Sequence, residues 1–114
     1  MHELSIATDL INTAIATAKQ NNAQKVLSIT VEIGELAMIN PEQLTFMYEV
    51  LTEENMLKGS KLNIEHVPAV MECPNCGYQG PLEDRYTCAC PKCGLTMRAR
   101  EGRDICLKTM EIDV

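Results

Sequence analysis

Apolar residues recur every three or four positions through the first twenty residues of the chain, which is the spacing of one face of an α-helix. Polar residues such as Asp9 and Asn12 fall between them. The apolar positions are Leu4, Ala7, Leu10, Ile11, Ala14, Ile15 and Ala18. We therefore predict an amphipathic helix that ends near Asn21 and Asn22.

The periodicity changes to two in residues 25–33, where apolar and polar side chains alternate. Such alternation predicts a half-buried β-strand, and Gly34 is expected to stop it. The side chains assigned to its buried face are Leu27, Ile29, Val31 and Ile33.

A second helix is predicted over residues 41–53. Asn40 is placed to cap it, Pro41 suits the first helical position, and Gln43 stands where a capping-box partner is expected. The side chains that this helix is predicted to bury are Leu44, Phe46, Met47, Val50 and Leu51.

Two more strands are predicted, over residues 61–67 and about 104–113, and Pro68 limits the first of them. Between them lie two similar pentads, Cys-Pro-Asn-Cys-Gly at residues 73–77 and Cys-Pro-Lys-Cys-Gly at residues 90–94. Thirteen residues separate their inner cysteines, Cys76 and Cys90. Two residues between thiolates let one tight turn present both sulfurs to one ion, so the pattern predicts a metal site.

The predicted ligands are Cys73, Cys76, Cys90 and Cys93. A closed four-thiolate site favours zinc, although a rubredoxin-like iron site would use the same spacing. A disulfide pair is a poorer fit in a chain without an export signal. Of the two other cysteines, we interpret Cys88 as a spare thiol beside the site and Cys106 as a small core residue.

Residues 71–100 contain too few apolar side chains to offset the ordering entropy of the backbone, so metal binding must fold this module. The predicted fold is α+β, a small three-stranded sheet with two helices, plus a zinc-ribbon-like four-cysteine module inserted before the last strand. We expect one domain of residues 1–70 and 101–114 and a zinc-binding domain of residues 71–100.

The chain has 10 basic and 16 acidic residues, for a net charge of −6. Residues 71–103 hold five basic and four acidic side chains, which leaves five basic and twelve acidic, or −7, on the rest. An acidic protein with few aromatic residues is a poor binder of nucleic acid, although a nucleic-acid-binding zinc ribbon shares the pentads. Partners of the main body should tolerate or prefer an acidic surface.

Several classes of protein are disfavoured. No apolar stretch approaches the roughly eighteen residues of a membrane span, and the opening residues lack the basic segment of a signal peptide. We expect a cytoplasmic protein, in agreement with reduced thiols. No catalytic triad or phosphate loop is present, and a closed four-thiolate site leaves no open position for a substrate, so we do not expect an enzyme.

The chain opens with Met1, His2 and Glu3. A lone histidine is usually a surface or core residue, and that interpretation fits His66. A histidine at position two, however, can offer the terminal amine, its own backbone nitrogen and its imidazole to one ion in fused chelate rings. Such nitrogen-rich sets suit nickel or copper.

These features together resemble the HypA/HybF family of nickel metallochaperones. The resemblance rests on the Met-His-Glu start, the Val-Glu-Ile-Gly-Glu-Leu segment at residues 31–36, the Pro-Glu-Gln-Leu-Thr-Phe segment at 41–46, and the two pentads in this order. It covers essentially the whole chain.

The resemblance implies that Ni(2+) is bound at the amino terminus, with His2 as the essential ligand helped by Met1 and Glu3. It also implies structural Zn(2+) at the four pentad cysteines. The implied partners are the GTPase HypB and the large subunit of nickel–iron (NiFe) hydrogenase, with a role in urease maturation in some organisms.

Overall fold

A computed structural model describes residues 2–82 and 88–114 of the chain, apart from the side chain of His2. Two α-helices and six strands follow one another. They are α1 (His2–Gln20), β1 (Lys25–Gly34), α2 (Pro41–Leu51), β2 (Lys61–Val67), β3 (Val70–Glu72), β4 (Gln79–Pro81), β5 (Arg98–Glu101) and β6 (Ile105–Asp113), with a 3-10 turn at Glu35–Ala37.

The predicted three-stranded sheet and its two helices are confirmed. The sheet has the order β2-β1-β6, and helices α1 and α2 pack against each other. The largest fully buried side chains of this part are Val26, Ile29, Val31, Leu44, Tyr48 and Leu57. In the described ranges, no helix has the length and apolar character needed to cross a bilayer.

The chain divides into two compact units. The first contains the residues up to Glu32 together with Met38–Glu65 and Cys106–Val114. The second contains Ile33–Ala37 and His66–Ile105. The second unit has its own sheet, of order β4-β3-β5, and its own buried cluster of Ala69, Met71, Cys73, Cys90 and Met97.

Helix α2 begins as the sequence predicts. The Asn40 side chain accepts hydrogen bonds from the backbone N–H groups of Glu42 and Gln43, at 2.9 and 3.2 Å. This cap satisfies two donors that have no partner inside the helix. The helix ends at Leu51, two residues before the predicted end, and the Thr52 hydroxyl donates to the carbonyl of Tyr48 at 2.8 Å.

The predicted buried face of α2 is partly wrong. Leu44 and Tyr48 are buried, whereas the side chain of Phe46 is 59% exposed and that of Val50 is 48% exposed. Successive helical residues are rotated by about 100°, so Leu44 and Tyr48 share a face while Phe46 lies about 200° from Leu44. The core covers only the face of α2 that carries Leu44 and Tyr48.

Two strand residues also differ from the prediction. Leu27 is 45% exposed and Val26 is buried, because the alternation of burial along β1 changes phase between Val26 and Ile29. Cys106 is exposed rather than part of the core, and its thiol donates to Glu32 at 3.5 Å. Neighbouring strand residues point to opposite faces, and the half-buried residues on either side of Cys106 occupy the other face.

Backbone segments around Gly34, Ala69 and Gly102 pack closely together in the second unit, and we call this part its base. A Cβ atom on Gly34 would lie 2.2 Å from both the carbonyl carbon and the carbonyl oxygen of Gly102. A Cβ on Gly102, which has φ +89°, would lie 2.7 Å from the Cα of Ala69. The Gly34 N–H donates to the Asp104 carbonyl at 2.9 Å, and the Leu36 N–H donates to the Gly102 carbonyl at 2.8 Å. These contacts require glycine at both positions.

Candidate metal centre

The second sheet positions the first pentad. Strand β3 pairs antiparallel with β4, with Glu72 opposite Gln79, so the pentad at residues 73–77 forms the connection between these strands. Strand β3 also pairs with β5, with Glu72 opposite Arg98. The second pentad lies ahead of β5, inside the isolated bridge between Ala89 and Thr96.

The two pentads repeat the same backbone geometry. The Gly77 N–H donates to the Cys73 carbonyl at 3.0 Å, and the Gly94 N–H donates to the Cys90 carbonyl at 2.9 Å. Both glycines have positive φ angles, +80° and +79°, a conformation that side chains disfavour. Proline and glycine thus build the tight turn twice, as the sequence predicts.

One further backbone hydrogen bond closes each turn. The N–H of Cys73 donates to the carbonyl of Tyr78, and the N–H of Cys90 donates to that of Leu95, both at 2.8 Å. The first cysteine of each pentad is therefore bonded to the residue just beyond the pentad.

The four pentad sulfurs lie together, all within 4.8 Å of one another. The Sγ atoms of Cys73 and Cys93 are 3.4 Å apart, and those of Cys76 and Cys90 are 3.6 Å apart. Four sulfurs around an ion at about 2.3 Å would be about 3.8 Å apart. The predicted cysteines thus form a group with the dimensions of a tetrahedral tetrathiolate site.

Backbone N–H groups point at the sulfurs. The Cys76 N–H lies 3.5 Å from Cys73 Sγ, and the Lys92 N–H lies 3.4 Å from Cys90 Sγ. Cys73 and Cys90 are buried, whereas Cys76 and Cys93 are exposed. Each pentad thus supplies one buried, hydrogen-bonded sulfur and one exposed sulfur.

The thiols of Cys73, Cys76 and Cys90 have unequal pKa values. The pKa of Cys73 is lowered chiefly by the N–H of Cys76. Burial acts to raise the pKa of Cys90, but the N–H groups of Cys93 and Lys92 and the neighbouring thiols outweigh it and lower that pKa to about 6. For Cys76, the Tyr78 N–H acts to lower the pKa, whereas partial desolvation beside the other thiols and the hydrogen bonds with their sulfurs raise it to about 11. Four thiolates this close need a cation to ionise together.

The other cysteines lie outside this group. Cys88 is half-buried with φ +50°, packs against the buried cluster of the second unit, and accepts the N–H of Met97 on its carbonyl at 2.8 Å. Cys106 belongs to the first unit.

The predicted nickel ligands are only partly described. Met1 and the side chain of His2 lie outside the described residues. Helix α1 begins at His2, and Glu3 is half-buried in its first turn. The nickel site therefore stays a prediction. His66, on β2, is exposed.

Some residues around the thiolates had no clear signal in the sequence. The Lys92 ammonium lies 5.7 Å from the centre of the Tyr78 ring, within cation–π range. Arg98 pairs with Glu72 at 3.6 Å, and Arg100 donates to Gln79 at 2.7 Å. Strands β3, β4 and β5 have only three or four residues each, which is too short for an alternation pattern to be recognised.

The fold and site define a small α+β protein with a tetrathiolate metal-binding module. A family model, described as "Hydrogenase/urease nickel incorporation, metallochaperone, hypA", matches residues 1–112. The chain therefore belongs to the HypA family of nickel-incorporation metallochaperones, whose members function in hydrogenase maturation and are generally not catalytic.

Individual relatives agree with this assignment. The chain is 79% identical over 114 residues to hydrogenase maturation factor HypA of Methanocella arvoryzae, covering 100% of both chains. It is 42% identical over 120 residues to HypA of Methanothermobacter thermautotrophicus, covering 99% and 98% of the two chains.

Solved structures share the fold. The solution structure of the nickel metallochaperone HypA from Helicobacter pylori matches with a TM-score of 0.73 at 24% identity, covering 97% of each chain. A second solution structure of a HypA protein matches with a TM-score of 0.75 at 26% identity, covering 98% of this chain and 96% of that one.

Proposed function

We propose that this protein binds Ni(II) at its amino terminus and delivers it for the maturation of nickel–iron hydrogenase, while a structural zinc ion holds its cysteine module. The observation that carries the proposal is the HypA-family match over residues 1–112, which includes both the Met-His-Glu start and the four-sulfur group. Nickel is here the cargo and zinc the resident ion.

The start of α1 supports a nickel site chemically. The first four N–H groups of a helix have no partners inside the helix, so the backbone nitrogen of His2 can bind a metal without breaking a helical hydrogen bond. The amine of Met1 and the imidazole of His2 complete the chelate rings, and Glu3 adds a carboxylate. A site at the chain terminus can surrender its ligands one at a time to an acceptor.

The four-sulfur group supports zinc in a structural role. A tetrahedral ion at this group would have all four positions taken by Cys73, Cys76, Cys90 and Cys93, with none left open for a substrate. Zinc binding would fold this module, as in other small metal-stabilised modules. We assign zinc to residues 71–100 and nickel to the domain of residues 1–70 and 101–114.

The cellular setting follows from the same proposal. The donor would act in the cytoplasm with the GTPase HypB and the large subunit of nickel–iron hydrogenase, with urease as a further client. The acidic surface of the chain, with a net charge of −6, gives no support to nucleic-acid binding.

Nickel titration of variants that alter only the terminus tests this proposal. One glycine added ahead of Met1 moves the amine away from His2, and His2→Ala removes the imidazole. Each should reduce nickel affinity at least about a hundredfold, since fused chelate rings are lost. A glycine added after Val114 is the matched control and should bind nickel like the parent.

Zinc content and melting temperature should be the same in all four proteins. Undiminished nickel affinity in the N-terminally extended protein would contradict the terminal site and make His66, Cys88 and Cys106 the next residues to test. Unchanged hydrogenase activity in cells that carry only His2→Ala would contradict delivery through this site.

A further inference from the structure

The outward face of helix α2 carries an apolar groove. The groove is shallow, has a volume of about 350 Å³, and is lined by Pro41, Glu42, Thr45, Phe46 and Glu49. Phe46, the only phenylalanine of the chain, is 59% exposed there, and Val50, one helical turn further on, is 48% exposed. A large aromatic side chain is thus held at the surface of a regular helix.

The core does not need these side chains. Leu44 and Tyr48 fill the buried face of α2, and the Tyr48 hydroxyl shares a hydrogen bond with that of Ser60. The position of Phe46 is therefore set by the geometry of the helix, while its apolar surface stays available. Aromatic residues exposed in this way supply much of the contact energy of protein interfaces.

The charged residues that line the groove are of one sign. Two of its five lining residues are glutamates, and none is lysine or arginine. Glu42 and Glu49 lie one turn before and one turn after Phe46, and both line the groove. In the described part of the chain, neither carboxylate forms an ion pair. Their charges are thus uncompensated and available to a partner.

We propose that this groove is the docking site of a basic amphipathic helix of a partner protein, which places an apolar side chain against Phe46 and lysine or arginine residues against Glu42 and Glu49. The charge selects this occupant. A second copy of the chain that docked through the same face would bring glutamates against glutamates, and an anionic membrane would be repelled by this face.

The dimensions of the face agree with one helix. The surface from Pro41 to Val50 extends about 15 Å along the axis of α2, which equals about three turns of a partner helix. Helices that bind in this way present apolar residues at positions i, i+3, i+4 and i+7. Helix α2 packs against the amino-terminal helix α1. A partner docked on α2 would therefore bind next to α1.

A synthetic peptide can serve as the probe with the zinc-loaded full chain. The peptide has sixteen residues, with leucine and one tryptophan at helical spacing and lysine elsewhere, and its matched form has glutamate in place of lysine. Because the protein contains no tryptophan, the peptide emission reports binding alone. We expect a blue shift with the lysine peptide and none with the glutamate peptide.

The variants separate the two components of the site. Phe46→Ala should weaken binding at least about tenfold, whereas Leu27→Ala, which truncates a 45% exposed residue on β1, should change it less than about twofold. The double change Glu42→Gln and Glu49→Gln should weaken binding and reduce its dependence on salt. Nickel and zinc binding should be unchanged, so the result is independent of the terminal site.

Three results would overturn the proposal. The first is no binding of the lysine peptide, or equal binding by the parent and Phe46→Ala. The second is self-association that Phe46→Ala abolishes, measured by sedimentation equilibrium, which would assign the groove to a second copy. The third is Phe46-dependent binding to phosphatidylserine vesicles, which would assign it to a membrane.

Discussion

The carboxylate of Glu35 accepts a hydrogen bond from the backbone N–H of Ala69, with 2.9 Å between Oε1 and N. Ala69 is buried, so its N–H needs a partner inside the protein. Glu35 lies in the 3-10 turn directly after Gly34, and Gly102 packs against the Cα of Ala69. One carboxylate and two glycines therefore fix the base of the unit that carries the four sulfurs.

Replacement of Glu35 should destabilise this base. Glu35→Ala leaves the Ala69 N–H buried without an acceptor, so we expect a loss of about 1–3 kcal/mol in the free energy of unfolding measured in urea. Glu35→Gln keeps an acceptor oxygen and should lose less. Glu111→Ala, an exposed residue on β6, is the control. Equal stability of the alanine and glutamine variants would contradict this role.

The glycine contacts make a steric prediction. Gly34→Ala would place a Cβ against backbone atoms that cannot move independently, so we expect a loss of at least about 2 kcal/mol. Gly59→Ala is a matched control, because Gly59 has φ +78° and nothing within 4 Å of its added Cβ. Gly59→Ala should be destabilised only by the cost of a positive φ angle in a residue with a side chain, about 1–2 kcal/mol. A smaller loss for Gly34→Ala than for Gly59→Ala would refute the packing argument.

Zinc content should depend on four cysteines and not on a fifth. Cys73→Ser or Cys93→Ser should lower zinc well below one ion per chain and should raise amide exchange in residues 71–100 more than in α1 and α2, because the metal orders this module. Cys88→Ser should keep its zinc, measured by elemental analysis. A zinc-free Cys88→Ser protein would show that the ligand assignment is wrong.

The stability of the chain should fall at alkaline pH. Burial raises the pKa of Tyr48, an effect partly offset by the hydrogen bond with Ser60. Because the pKa of Tyr48 is higher in the folded protein than in the unfolded chain, the unfolded chain releases the phenol proton first, at a pH of about 10. The contribution of Tyr48 is thus complete below that pH and is lost as the pH rises through the folded pKa.

Tyr48→Phe isolates this effect. At a pH of about 8, well below the range in which the phenol titrates, the variant lacks the hydrogen bond with Ser60. Its free energy of unfolding should therefore be lower by about 1 kcal/mol. The difference from the parent should narrow as the pH rises above about 10. Unfolding free energies that stay parallel across this range would contradict the assignment.

The sequence alone determined the features that depend on neighbours along the chain. The periodicity of α1, the Asn40 cap of α2, and the alternation from Ile29 to Ile33 in β1 each involve residues a few positions apart, and all were predicted. The group of four cysteines could also be predicted from the sequence, since two pentads each close a tight turn within five residues. The nickel ligands were also read from local sequence, and they stay a prediction.

Only the tertiary structure decided which apolar side chains are covered. Phe46, Val50 and Leu27 have the composition of core residues, but burial depends on which face a distant element occupies, and local sequence carries little of that information. Cys106 faces Glu32 for the same reason. The short strands β3, β4 and β5 form because residues far apart in sequence pair across the second sheet, and the contact of Gly34 with Gly102 likewise joins segments that no local pattern connects.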